Sequence, residues 1–328
     1  MDMLSSPIRA KSVGFFLLFL PLALCDASGQ AADSLLARAG RVVHPPVDEM
    51  SGIVRSRWQD NVWWVHNDSG DEPRLFPIDS TGSVHVPPWE TSTYATGPAA
   101  DTSDRPPWPG VQLGAAAHID YEDIAVEDSV LYLGDIGNNG NARRDLGIYV
   151  IRESYLYDRR TRPLKHIPIA YPDQKDIPAN KWHFDAESLF IDDGTLYLLT
   201  KHRADRQINQ LTAGTKLYRL DSKRPRQVNE LVLVDRHKTI PPPTAAALSP
   251  NGTRLAVLGS SSLWLFPRPA EGDKWLSTKP RRLDLDANKT KQAEAITWDD
   301  GSTLRITNEQ GDVWTLSVGP IAEEQSSR

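Results

Sequence analysis

Asp120-Tyr-Glu-Asp-Ile-Ala-Val126 places carboxylates directly ahead of a short apolar run that has the character of a buried strand. The same order returns in Asp185-Ala-Glu-Ser-Leu-Phe-Ile191 and in Gln292-Ala-Glu-Ala-Ile-Thr-Trp298. Met50-Ser-Gly-Ile-Val54 and Pro243-Thr-Ala-Ala-Ala-Leu248 repeat it with a hydroxyl where the others carry Glu. Five polar positions at the start of five similar strands imply five equivalent places in one repeating architecture.

Between these starts the chain divides into units of roughly 45 to 70 residues, each with about four short strands. That is the repeat signature of a β-propeller. The second unit reads 124–126, 130–133, 147–151 and 166–169, and the third and fourth follow the same plan. The first reads 51–54, 62–65, 74–79 and 83–86, followed by residues 90–118, whose Pro, Gly, Ala, Ser and Thr content predicts a surface insertion. The fifth unit runs out of strands at 318, while residues from about 34 supply one strand too many at the other end. Adding that N-terminal strand to the last blade closes the ring and hides its edges. The expectation is therefore an all-β fold: a five-bladed propeller over 34–319, six blades being the alternative if 90–118 conceals another.

Composition agrees. Ten Trp, 25 Pro and 21 Gly suit many short strands joined by turns. A formal net charge of −6 lacks the basic footprint of a nucleic-acid binder. Arg9 and Lys11, the apolar run Val13 to Leu24 and the small residues Ala27, Ser28 and Gly29 follow the order of a secretory signal peptide over 1–30. The expected location is outside the cell or periplasmic. Cys25, the only cysteine, ends a stretch resembling a lipoprotein box and offers a lipid anchor. After this segment no apolar run is long enough to span a membrane. The mature chain is expected to be a monomer, with a disordered tail over 320–328.

In a propeller the first strand of each blade lines the central channel, so Ser51, Glu122, Glu187, Thr244 and Glu294 should ring one mouth. The ends of the second strands reach the same rim with Asn67, Asp68, Asp135, Lys201, His202, Arg203, Asn308 and Glu309. Carboxylates crowded in a narrow channel cost several kcal/mol each unless paired. A hard cation removes that cost. Ca²⁺, which takes six to eight oxygen ligands, suits three Glu, a Ser and a Thr better than Zn²⁺, which prefers His and Cys. The competing reading is that each polar strand start bonds the neighbouring blade's backbone.

Met50-Ser-Gly-Ile with Val65-His-Asn-Asp-Ser-Gly-Asp71, Tyr121-Glu-Asp-Ile-Ala125 with Leu133-Gly-Asp-Ile-Gly137, and Asp185-Ala-Glu-Ser-Leu189 resemble a family of secreted bacterial β-propellers with no established activity. The resemblance spans about 48–318 and implies the fold but no chemistry. A looser likeness is to calcium-activated nucleotidases, whose Glu and Ser blade starts imply Ca²⁺ ligands at Glu122, Glu187, Glu294 and Ser51. Phytase-like and lactonase-type propellers resemble the chain equally loosely in their acidic channel mouth.

Two functions follow. One is a Ca²⁺-dependent hydrolase of a phosphoester or of an ester or lactone, with Asp68, Asp135 or Glu309 as base. In it Asn67, Lys201, His202, Arg203 and Asn308 bind the small, anionic substrate. The other is a non-catalytic propeller that binds a ligand or an extracellular or periplasmic protein, its ion structural or absent.

Overall fold

The computed structural model describes residues 30–31 and 35–319. Apart from Gln30, the expected signal segment, Cys25 and the expected tail fall outside these residues.

Five antiparallel four-stranded blades form a closed ring. Blade 1 comprises Met50–Arg55, Trp63–Asn67, Arg74–Ile78 and Val111–Leu113. Blade 2 comprises Tyr121–Glu127, Val130–Asp135, Gly147–Arg152 and Pro163–Ala170. Blade 3 comprises Asp185–Asp192, Thr195–Arg203, Thr215–Leu220 and Val232–His237. Blade 4 comprises Pro243–Leu248, Arg254–Gly259, Ser262–Pro267 and Arg281–Asp284. Blade 5 takes Ala293–Trp298, Thr303–Asn308 and Asp312–Ser317 from the C-terminal end and Leu36–Arg41 from the N-terminal end. The pairing of Leu36 with Leu316 and of Arg41 with Asp312 closes the ring as the strand count predicts. Six blades are excluded.

Two expectations for blade 1 need correction. Its fourth strand is not 83–86, of which only Val84 bridges back to Ile78. The fourth strand comes instead from the region expected to be a surface insertion: Val111 pairs with Leu75 and Gln112 with Arg74. That region also buries Trp108, edge-on to Phe76. Its core contribution rests on isolated apolar residues between prolines, which carry no periodicity.

The first strands are apolar on both faces because each is sandwiched between two blades. Trp64, Phe76, Phe190, Trp275 and Trp298 fill the layers between blades. Outer edges are covered by two-residue parallel strands: Arg160–Thr161 on blade 1, Asn229–Glu230 on blade 2 and Gln30–Ala31 on blade 4. Each cap occupies part of the outer ladder that another chain could otherwise pair with.

Candidate metal centre

Every first strand carries a break in register near its start, after one paired residue in blades 1, 2, 4 and 5 and after two in blade 3. The pairing skips between Met50 and Gly52, Tyr121 and Asp123, Ala186 and Ser188, Pro243 and Ala245, and Ala293 and Ala295. The skipped residues are Ser51, Glu122, Glu187, Thr244 and Glu294, the five positions singled out in the sequence. A β-bulge leaves one residue outside the ladder and re-aims its side chain. Five bulges give the chain five inward-turned polar residues at one level of the channel.

The five part company in their bonding. Ser51 Oγ donates to the Glu122 backbone carbonyl at 3.0 Å, and Thr244 Oγ1 to that of Ala293 at 2.8 Å. Each hydroxyl ties its blade to the next. The three glutamates make no such backbone bond among the described residues.

Glu122 instead joins two carboxylate groups. With Asp68 and Asp120 it forms one, and with Asp185 and Glu187 the other; within each, oxygens lie within 4.8 Å of one another. The positive charges are unevenly shared. Lys201 Nζ meets Glu187 at 2.8 Å, and the Arg203 guanidinium meets Asp185 at 2.8 Å and Glu187 at 3.7 Å. Asp185 also accepts from the Asn138 amide at 2.6 Å. Asp68, Asp120 and Glu122 have no cationic partner in bonding range among the described residues. Gly137 explains how the last two fit: a Cβ there would overlap Glu122 Oε1 and Asp120 Oδ2.

Burial and mutual repulsion hold these carboxyls toward their protonated forms. Burial, then Asp68 and Asp185, pushes Asp120 to about 7. Burial and Glu187 raise Glu122 far above the usual range. Glu187 is pushed up to about 8 by burial, against the pull of Lys201, and Glu294 to about 7 for the same reason. Burial raises Asp68 and the half-exposed Glu309 as well. An oxygen-only donor set, compressed and short of positive charge, fits a hard divalent cation.

The remaining expected site residues divide. Asp135 accepts from Arg143 Nη2 at 2.8 Å and from the Asp120 amide at 3.0 Å, so it is committed to structure. Asn67 donates to the Pro46 carbonyl and to Asp71. Asn308 donates to Thr290 and Asp312 and accepts from the Asp312 amide, closing its own turn. Arg203 also bonds Ile208 and Asn139, which saturates it. His202 is turned away from its two neighbours, as strand alternation requires. It stacks on His183 at 3.8 Å, and burial lowers its pKa to about 3, so it carries no charge for an anion. Of the basic trio only Lys201 serves the carboxylate groups without being saturated.

Asp120 and Asp185 were missed as candidate ligands. Their signal was the Asp-x-Glu spacing shared by Asp120-Tyr-Glu122 and Asp185-Ala-Glu187, which places a second carboxylate just ahead of each bulge. Asp123, next to Glu122, serves the ring and not the carboxylate groups. Its fully buried carboxylate crosses the channel to accept from the Leu189 amide of blade 3 at 2.8 Å and the Ala246 amide of blade 4 at 3.3 Å. Beyond it, a separate cavity of about 370 Å³, lined by Ile53, Ile124, Leu189, Ala246 and Ile296, opens at the opposite end of the channel.

No protein-family model matches the chain, and no curated protein sequence matches it. Among solved structures it is similar to a glucose dehydrogenase at 11% identity and a TM-score of 0.44, over 87% of this chain and 99% of that one. It is likewise similar to the PQQ-bound form of an aldose sugar dehydrogenase from Streptomyces coelicolor, at 12% identity and a TM-score of 0.45, over 87% and 98% of the two chains. A gluconolactonase from Xanthomonas campestris gives 13% identity and a TM-score of 0.41, over 87% and 89%. Likeness this distant bears on no residue of the site.

Proposed function

We propose that the chain holds a divalent cation of the calcium kind at the acidic channel mouth and hydrolyses a small ester or lactone there, as a monomer delivered to the periplasm or the cell exterior. The observation that carries this reading is the unpaired group Asp68, Asp120 and Glu122, seated against a glycine that admits no side chain. Asp185 and Glu187, already countered by Arg203 and Lys201, stand behind it. A hard cation bound there supplies Lewis acidity and acidifies a coordinated water.

The protein's own groups divide the remaining work. Glu309, half-exposed at the rim with its carboxyl raised by burial, is the base left once Asp135 is given to Arg143 and Asp68 to the cation. Lys201 limits the negative charge of the mouth and orients Glu187. Because Arg203 is saturated, His202 neutral and Lys201 engaged with Glu187, the described residues of the mouth offer no uncommitted cation for a phosphoester. An uncharged ester or lactone is the better match. Ca²⁺ titration by calorimetry, followed by an ester and lactone panel with and without chelator, tests the proposal. Absence of binding removes it.

Binding without turnover would leave the second reading, a non-catalytic propeller with a structural ion. The ion pair of Lys201 with Glu187 favours that reading, since the chain already supplies part of its own counter-charge.

A further inference from the structure

On the seam between blades 1 and 2, at the strand ends away from the acidic mouth, four aromatic rings form a surface row. Trp58 lies 6.4 Å from Tyr155, Tyr155 5.4 Å from Tyr157, and Tyr157 6.1 Å from Trp89. Trp58 is 51% exposed, Tyr155 49% and Trp89 64%, an unusual cost for rings that normally bury most of their area. The row is built rather than loose. Gln59 donates to Glu153 and to the Ser154 carbonyl and accepts from the Leu156 amide, fixing the Trp58 turn to the Tyr155 segment.

Around the row arginines slightly outnumber carboxylates, exposed Asp60 and Asp158 included, although the whole chain is negative. Arg57, Arg160 and Arg162 are exposed and have no side-chain partner among the described residues. Arg159, 62% exposed at its side chain, meets the buried Glu90 beside Trp89. At physiological ionic strength the screening length is about 8 Å, so this patch acts independently of the distant acidic mouth.

We propose that this patch docks the protein onto an anionic lipid surface. The ring planes favour a bilayer over a polymer stacked on flat faces: Trp58 and Tyr155 lie 31° apart, but Tyr155 and Tyr157 meet at 89°, and Tyr157 and Trp89 at 73°, which breaks the row. Rings so inclined offer no continuous platform for sugars or bases, but they suit the bilayer interface, where amphipathic rings sit beside arginines that pair with lipid phosphates. Docking this way turns the acidic mouth to solvent.

The test uses the full chain with vesicles of phosphatidylglycerol and phosphatidylcholine carrying brominated acyl chains. Residues 1–29 contain no Trp, so quenching reports the folded body. Quenching of Trp fluorescence should rise with phosphatidylglycerol content, fall with salt, and largely disappear in a Trp58→Phe, Trp89→Phe double variant. Charge reversal at Arg160→Glu and Arg162→Glu should weaken binding at least about fivefold for each site changed. Equal quenching on neutral vesicles, unchanged quenching in both variants, or retention by anionic polysaccharide or single-stranded nucleic acid without vesicle binding would each overturn the proposal.

Discussion

The same bulge occurs in blades 1 and 4 and in blades 2, 3 and 5, yet its residue does opposite work. In blades 1 and 4 a hydroxyl turns into the channel and donates to the next blade's carbonyl, so the ring is tightened and nothing is left over. In blades 2, 3 and 5 a carboxylate occupies the same place, cannot donate when ionised, and adds repulsion that the protein must relieve. One backbone device thus positions structural locks and candidate ligands alike. The residue type decides which.

The largest consequence is in pH. Asp120, Glu187 and Glu294 keep protons when folded up to about 7, 8 and 7, whereas unfolded carboxyls release them in their ordinary range. The folded state therefore binds more protons across that window, and stability falls as pH rises from the ordinary carboxylate range to about 8. Without Ca²⁺ the loss should reach several kcal/mol, measured by denaturant unfolding at a series of pH values. With saturating Ca²⁺ the profile should flatten. An ion-independent profile with no decline would mean that the glutamates are no less comfortable than the hydroxyls.

Glu122→Gln should sharpen the contrast next. The glutamate belongs to both carboxylate groups, so its loss should abolish calcium stabilisation. In the parent chain that stabilisation is about 2.7 kcal/mol at a Ca²⁺ concentration of 100 Kd. In calcium-free buffer at pH 8 the variant should be the more stable of the two. Thermal melts with and without chelator read both effects. A retained calcium shift would move the centre away from blades 2 and 3.

Gly137→Ala probes the same group without touching a ligand. Its methyl would overlap the Glu122 and Asp120 carboxylates, which must shift. Overpacking of this kind costs about 1–3 kcal/mol, and calorimetry should find weaker Ca²⁺ binding with the carboxylates all present. Undiminished affinity would show that the glycine does not shape the site.

The sequence displayed the repeat because burial on both faces forces apolar residues into each first strand and leaves its polar start conspicuous. It displayed the ring closure because strands come in fours. What it could not display was the bulge, a register fact fixed only by pairing with the second strand. Nor could it show which polar residues would be used up. Asp135 is lost to Arg143 eight residues on, across a loop that reaches blade 3 through Asn138. His202 was avoidable, since consecutive strand residues cannot face one way. Val111–Leu113 was not: three residues among prolines carry no period, and only their partner Arg74–Leu75 makes them a strand.

Thr244→Val is the smallest change and the most discriminating. Valine keeps the shape and removes the hydroxyl, so the Ala293 carbonyl loses its 2.8 Å partner at the junction of blades 4 and 5. A buried acceptor left without a donor costs about 1–3 kcal/mol. The loss should be the same with and without Ca²⁺, because the threonine already spends its donor on the neighbouring blade and is no part of the unpaired carboxylate group. Calorimetry should find Ca²⁺ affinity unchanged while the unfolding midpoint drops. If affinity falls with stability, the hydroxyls are ligands after all, the ion lies nearer the channel axis than Asp68 and Asp120 place it, and the division between locking and binding blades dissolves.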